Sequence, residues 1–578
     1  MKERGKKFLA IGLVLVILGV FFAWMVQTDG GKITLKQISL VSDNGKVIKA
    51  VMYIPEGVSK ENKAPGVLAV HGGNSSRYAV GNISQEFAKR GYVVISLDQI
   101  NNAQSDRGQE QFYGTETCMK YLTTLDFVDQ ERLGVFGHSM GSSVVSMAEA
   151  YPEFHVKAGA TLGAGCSAKP DTPINIAIIV GDKDENTGPR GSDKGVTGPG
   201  KYQFSRALAN AVGDPDAEEI IPGKEYGSRE NNTLRVFYQP HCSHTGFLYN
   251  KEAIATLLTF MGDILAVDYT LPVTSQNWIV REFLTAIAFI GLFVVAFGVI
   301  CLALDKKKEY VLESPVGGHA DSNVGYWISL AFMCAFPAVV MQPLYMAGKS
   351  FFLKISSRIF AMEHISGVVF WMVVTALAIL VVNLIIKKFT KNYDWAFDRS
   401  ILKVGRKEFF AYLLIGIVCL AVIYFLVAGS VFFSDVCIRL YNTEVHPFTR
   451  TRFFVFFAYV LLFFLYYFII GYVQTSGLLC KKQSVFSQYL RTALVSIIGP
   501  GVLLLIWYGT TAFTGENPLF VWRFVLGVIL NFLPGMCIGA LIQVFCYRHT
   551  GKIWLGALIN TLIFTWMSTS IGVMIALA

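Results

Sequence analysis

The sequence predicts a mostly parallel β-sheet covered by helices on both faces, preceded by one apolar helix and followed by an all-α membrane region of about eight spans. Three observations carry this. Between Asp29 and Asp268 strand-like apolar runs alternate with helical segments, the pattern of a parallel sheet whose two faces are both covered. Inside that stretch, Arg132-Leu-Gly-Val-Phe136 stops at Gly137-His138-Ser139-Met140-Gly141 and leads into a small-residue helical segment. From Trp278 on, long apolar runs dominate.

Composition supports the division. With 53% hydrophobic residues in 578 and a mean hydropathy of +0.47, the chain is too apolar for an ordinary soluble enzyme. Charge is uneven: Asp29 to Asp268 holds 23 basic against 28 acidic residues, whereas Tyr269 onward holds 23 against 12. The positive excess therefore belongs to membrane flanks, and no basic patch on the soluble part points to nucleic acid. Only Cys118, Cys166 and Cys242 of the ten cysteines lie in the soluble stretch. That odd number argues against a disulfide framework, and all three are expected as small buried residues.

Taken in order, Met1 to Lys7 carries four basic residues and one Glu, and Phe8 to Val26 is an uninterrupted apolar run. Its length exceeds a signal peptide's apolar region and no small-x-small site follows, so residues 1–28 are expected as an uncleaved anchor with its basic end in the cytoplasm. Residues 29–270 form the soluble domain. Lys32 to Ile54 reads as an antiparallel hairpin around Asp43-Asn-Gly45, with a bulge where the apolar phase slips between Leu35 and Ile38. Further strands are expected at Gly66–Val70, Tyr92–Asp98, Arg132–Phe136, Ala158–Leu162, Ile174–Val180 and Leu234–Tyr238. Helices are expected at Ser84–Arg90, Tyr113–Leu125 and Lys251–Leu265. Glu185 to Asn232, rich in Gly, Pro and charge with a helix near Tyr202–Val212, reads as either a lid or a surface excursion.

Residues 271–578 form the membrane domain. Its eight apolar segments are Phe283–Leu304, Tyr326–Met346, Gly367–Ile386, Phe409–Ser430, Phe453–Gln474, Thr492–Thr511, Trp522–Phe545 and Ile553–Ala576, each about the 20 residues a bilayer core needs. Alternation puts Lys306–Lys308, Lys387–Lys407, Lys481–Lys482 with Arg491, and Arg548 with Lys552 in the cytoplasm. Lys349–Arg358 and Arg439–Arg452 break this rule and are expected to lie on the membrane surface. Glu363, Asp435, Glu444, His446 and Glu516 are expected as solvated loop residues.

Ser139 is the candidate nucleophile. In G-x-S-x-G the serine sits at a sharp strand-to-helix turn, and flanking residues without side chains let strand and helix approach closely. A serine hydroxyl needs an imidazole to take its proton, and that imidazole needs a carboxylate to orient it. His241 and His244 both follow one strand, Asp182 and Asp184 both follow another, and spacing alone leaves each pair open.

From about Val51 to Leu265 the chain resembles the α/β-hydrolase superfamily, in particular bacterial serine hydrolases of the dienelactone-hydrolase and esterase type. The resemblance rests on Gly66-Val-Leu-Ala-Val-His71-Gly72-Gly73, the Gly137–Gly141 elbow, Ile178-Ile-Val-Gly181-Asp-Lys-Asp184 and His241-Cys-Ser-His244, in the order oxyanion strand, nucleophile, acid, histidine. It implies an α/β hydrolase fold in which Asp184 is favoured over Asp182 and His244 over His241. His138 is placed away from the base position. Backbone N–H groups of Met140 and of Gly73, within the stretch Gly72 to Asn74, are the implied oxyanion-hole donors.

The expected protein is a multi-pass membrane protein with its hydrolase domain outside the cytoplasm, cleaving an ester, thioester or amide through an acyl-enzyme. Its expected partners are a small-molecule or lipid-like acyl substrate and membrane lipids, with no cofactor and no metal. Two alternatives remain: a peptidase of the same fold, and a transporter or receptor whose hydrolase-like domain only binds ligand.

Overall fold

The computed structural model describes residues 1–186, 201–391, 397–515 and 517–576. Residues 187–200 of the expected lid, Glu516, and residues 392–396 of the basic Lys387–Lys407 stretch lie outside them.

An N-terminal helix α1 (Lys2–Gln27) precedes the soluble domain. That domain contains β1 (Ile33–Val41), β2 (Val47–Pro55), β3 (Ala64–Val70), α2 (Gly81–Ala88), β4 (Val93–Leu97), α3 (Thr115–Thr123), β5 (Val128–His138), α4 (Ser143–Ala150), β6 (Ala158–Leu162), β7 (Asn175–Ile179), α5 (Arg206–Val212), β8 (Glu225–Tyr226), β9 (Arg235–Tyr238) and α6 (Lys251–Ile264). The strands form one nine-stranded sheet in the order β1-β2-β4-β3-β5-β6-β7-β9-β8. Pairing is parallel from β4 through β9 and antiparallel at both edges. Strands β3, β4, β6 and β7 are buried along their whole length, as strands covered on both faces must be.

The expected bulge in the first hairpin is absent. Strands β1 and β2 pair without a break from Ile33↔Pro55 to Val41↔Val47. The apolar phase slips because Ile33 and Leu35 pack into the core on one face of the sheet, while Ile38 and Leu40 pack into the core on the other.

The membrane region holds α7 (Trp278–Lys306), α8 (Val324–Val339), α9 (Met341–Ser356), α10 (Glu363–Phe389), α11 (Arg406–Ser434), a two-residue ladder β10 (Arg439–Leu440) with β11 (Thr443–Glu444), α12 (Arg450–Gly477), α13 (Val485–Thr514), α14 (Arg523–Thr550) and α15 (Trp554–Ser570). Among the described residues seven helices, α1 included, are long and apolar enough to cross a membrane, or eight if α8 and α9, bent by 57°, make one span. All eight expected segments have a helical counterpart, but the second is broken at that bend. The last is a helix of only 17 residues, about 26 Å at 1.5 Å per residue, just short of a ~30 Å hydrocarbon core.

Helix α1 is built into the bundle by glycines at seven-residue spacing. A Cβ on Gly12 would come within 2.6 Å of Val295 N, and one on Gly19 within 2.8 Å of Leu284 O. Facing glycines on α7 are equally close: a Cβ on Gly291 would lie 3.1 Å from Gly12 O and one on Gly298 3.1 Å from Gly5 O. Small residues on both helices let the backbones touch, the usual means of helix association in lipid.

The soluble domain sits against one end of this bundle, and residues expected on the membrane surface or in solvent hold it there. Arg439 is buried, donates to Tyr78 O at 2.6 Å and pairs with Glu282 and with Glu444. Arg452, fully buried, binds Ala103 O, Thr569 O and Gly572 O. Asp435 accepts from Tyr78 Oη at 2.9 Å and Glu444 from Ser76 Oγ at 2.5 Å. The sequence reading of Arg439–Arg452 as a surface stretch, and of Asp435, Glu444 and His446 as solvated, is thus corrected: these side chains are buried where the two regions meet. The other exceptional stretch, Lys349–Arg358, begins inside α9, where Lys349 pairs with Glu363 at 2.6 Å.

Candidate active site

The elbow follows from two close approaches. A Cβ at Gly137 would sit 1.9 Å from Gly141 O, and one at Gly141 would sit 2.4 Å from His71 O, so neither position accepts a side chain. Between them Ser139 has φ +52°, in the left-handed region that non-glycine residues seldom occupy. The strained turn lifts Ser139 off the end of β5 before α4 begins, and leaves it half-buried.

The two acids and two histidines that spacing left open sort into separate pairs. His244 Nδ1 lies 3.0 Å from Asp184 Oδ2 and 3.1 Å from Oδ1, with His244 5% exposed and Asp184 fully buried. His241 Nδ1 lies 2.7 Å from Asp182 Oδ2, and its side chain is 76% exposed. Burial pulls the His244 imidazole down, but the Asp184 carboxylate, its hydrogen bond and Glu185 outweigh this and raise its pKa above the ordinary value.

Three further residues complete this corner, two of them, Gly163 and Glu185, not singled out from sequence. Gly163, φ +64°, follows β6, and a Cβ there would lie 3.0 Å from His244 Nδ1 and 3.1 Å from Asp184 Oδ2. Its missing side chain makes room for the pair. Glu185 Oε2 accepts from His244 N at 2.8 Å. Burial, then the neighbouring Asp184 charge, pushes the Glu185 carboxyl up to about 7. His138 donates from Nε2 to His244 O at 3.0 Å, its ring 4.8 Å from the His244 ring. Burial and the proximity of His244 hold it down at about 3, so it is a neutral buttress near neutral pH.

Opposite the elbow, the loop after β3 brings Gly73 to Met140. A Cβ on Gly73 would lie 3.8 Å from Met140 Sδ, and one on Gly72 3.3 Å from Ser139 Cβ. His71 fixes the loop: its Nε2 accepts from Gln99 N at 3.0 Å, and burial keeps its pKa low. Asn74, φ +60°, accepts on Oδ1 from Val573 N at 2.9 Å, so the segment after α15 also holds this loop.

The membrane region covers this edge of the sheet. Thr245 Oγ1 meets Tyr508 Oη at 3.0 Å, Asn517 Nδ2 donates to Glu185 O at 3.0 Å, and Met574 N donates to Asn101 O at 2.7 Å. Beside the loop after β3, Cys437, Glu444 and His446 place ligand-type atoms within 4.8 Å of one another. Glu444 is already engaged by Arg439 at 3.2 Å, His446 at 3.0 Å and Ser76, which makes the group an ion-pair node.

A family model described as alpha/beta hydrolase fold matches residues 65–186. An uncharacterized protein of Escherichia coli (strain K12), YcjY, is 27% identical over 138 residues, 22% of this chain and 45% of that protein. The chain thus spans under half the length of that curated relative. Among solved structures, the esterase Pf2001 of Pyrococcus furiosus is similar at TM-score 0.28 and 13% identity, over 41% of this chain and 95% of that one. The glucuronoyl esterase from Solibacter usitatus is similar at TM-score 0.28 and 14% identity, over 41% and 82%.

Proposed function

We propose that this chain, an α/β hydrolase joined to a bundle of apolar helices, is a membrane-tethered serine hydrolase that acts outside the cytoplasm on an ester, thioester or amide. The observation that carries this reading is the buried His244–Asp184 pair beside the strained Ser139 elbow. Ser139 Oγ attacks the acyl carbonyl while His244 Nε2 takes its proton, and Asp184, accepting from Nδ1–H, keeps the ring in the right tautomer and stabilises the imidazolium. N–H groups of Met140 and Gly73 receive the charge that develops on the carbonyl oxygen. His244 then protonates the leaving group, and water, activated by the same imidazole, releases the acyl group from Ser139.

Placement outside the cytoplasm draws support from charge. The bundle end remote from the hydrolase carries the N-terminal segment, with Gly5 against Cys301 and Leu302 at the basic end of α7. The basic loops meet there as well: Leu312 N donates to His549 O, Val316 N to Arg548 O, and Lys552 Nζ to Ser400 O. Basic loops mark the cytoplasmic face, which leaves the hydrolase on the other. Tethering at this depth favours lipid-like acyl substrates in contact with the bilayer. Turnover of acyl esters of varied chain length by the full-length protein, present in the unaltered chain and lost in Ser139→Ala, tests the reading; equal turnover by both would overturn it.

A further inference from the structure

The loops after β3, β4, β7 and β9 meet the membrane region, so the path to Ser139 is set by what lies in that contact. A cavity of about 60 Å³ opens there. Asn74, adjacent to Gly73 and so to the site, lines it together with Glu444, and Tyr467, Val528, Phe532, Phe564 and Met567 of α12, α14 and α15 are among the residues that line the rest. The Glu444 charge is offset by Arg439 at 3.2 Å, and His446 Nε2 lies 3.0 Å from its other carboxylate oxygen. The cavity is therefore polar where it touches the oxyanion loop and mostly apolar where it enters the helices, with Asn531 of α14 and Ser568 of α15 as polar exceptions. Two of its lining rings, Tyr467 and Phe564, have centroids 5.6 Å apart.

We infer that this cavity holds the first methylenes of the substrate's acyl chain, so that the substrate is a membrane amphiphile with its carbonyl at Ser139 and the start of its chain between α12, α14 and α15. This rests on the serine-hydrolase reading above. An apolar slot that starts beside an oxyanion loop and runs among lipid-embedded helices takes a chain out of the bilayer without passing it through water, and each methylene it buries favours binding. Its volume of about 60 Å³ makes its capacity small, so reactivity rises over the first added methylenes and then levels off.

The test uses the full-length protein in nanodiscs and a series of alkyl fluorophosphonates from ethyl to dodecyl, read as the rate of Ser139 phosphonylation. The unaltered protein should gain about fourfold per added methylene until the cavity is filled. Val528→Phe, which narrows the slot, should leave the ethyl rate within twofold and remove most of the gain for long chains. Phe532→Ala, which widens it, should move the plateau to longer chains. Rate ratios between variants cancel the partitioning of each probe into lipid. A chain-length profile unchanged in both variants, or both variants slowed equally at every length, would overturn the inference. No adduct at Ser139 with any probe, ethyl included, would instead overturn the hydrolase reading on which it stands.

Discussion

His244 Nδ1 lies 3.0 Å from Asp184 Oδ2 with both side chains shut off from solvent, while the equivalent contact two and three positions away, Asp182 with His241, faces water. Shielded from water, the Asp184 carboxylate acts on the His244 ring with little dielectric screening, an advantage the exposed pair lacks.

Substitution should separate the pairs. His244→Ala and Asp184→Asn are each expected to lower kcat/KM on an activated ester by on the order of 10⁴-fold. His241→Ala and Asp182→Asn should stay within a few-fold of the unaltered chain. The reverse ranking would exchange the pairs.

Gly163→Ala should disable the site without touching a reacting group. The new methyl would press on His244 Nδ1 and Asp184 Oδ2 at 3.0 and 3.1 Å, at a backbone φ of +64°. An activity loss of roughly 10- to 100-fold and a destabilisation of about 1–2 kcal/mol are expected. Steady-state kinetics and a melting curve measure the two effects; an unchanged kcat would show that the pair does not need this clearance.

Glu185 makes stability depend on pH in a direction that can be worked out. Its carboxyl is raised from 4.5 to about 7 in the folded protein, so between those values the folded state holds a proton that the unfolded chain has released. Its contribution to stability is therefore full below about pH 4.5 and falls as pH rises toward 7. Glu185→Gln should remove that slope from melting temperatures measured between pH 4.5 and 8. Because the Glu185 charge also lifts the His244 pKa, the same variant should shift the acid limb of the pH–rate profile to lower pH.

Sidedness can be read with single cysteines. In a chain whose ten native cysteines are replaced, Asn231→Cys on the hydrolase surface should react with a membrane-impermeant maleimide on intact cells, and Gly317→Cys should not. Both positions are exposed. Protection of position 231 would put the hydrolase in the cytoplasm.

What the sequence made legible was whatever depends on near neighbours. The Gly137–Gly141 spacing encodes the elbow because both glycines answer backbone contacts within the turn and with β3. Strands β6, β7 and β9 stand within a residue of the expected ends because buried strands are short unbroken apolar runs. Gly163 and Glu185 carried no local pattern, since their roles arise only when the loops after β6, β7 and β9 converge. Arg439 and Arg452 look like surface cations because their counter-charges and carbonyl partners lie far away in the chain. The glycines of α1 did carry a signal, their seven-residue spacing, which marks a packed helix in place of a freely tethered one.

The central claim is that Ser139 carries the covalent chemistry. The most direct measurement is to treat the full-length protein with a short-chain fluorophosphonate, digest it, and locate the adduct by peptide mass spectrometry. A single adduct on the peptide containing Ser139, absent in Ser139→Ala and slowed by orders of magnitude in His244→Ala, is the predicted result. An adduct that persists in Ser139→Ala, or labelling of Ser139 that is indifferent to His244, would contradict it.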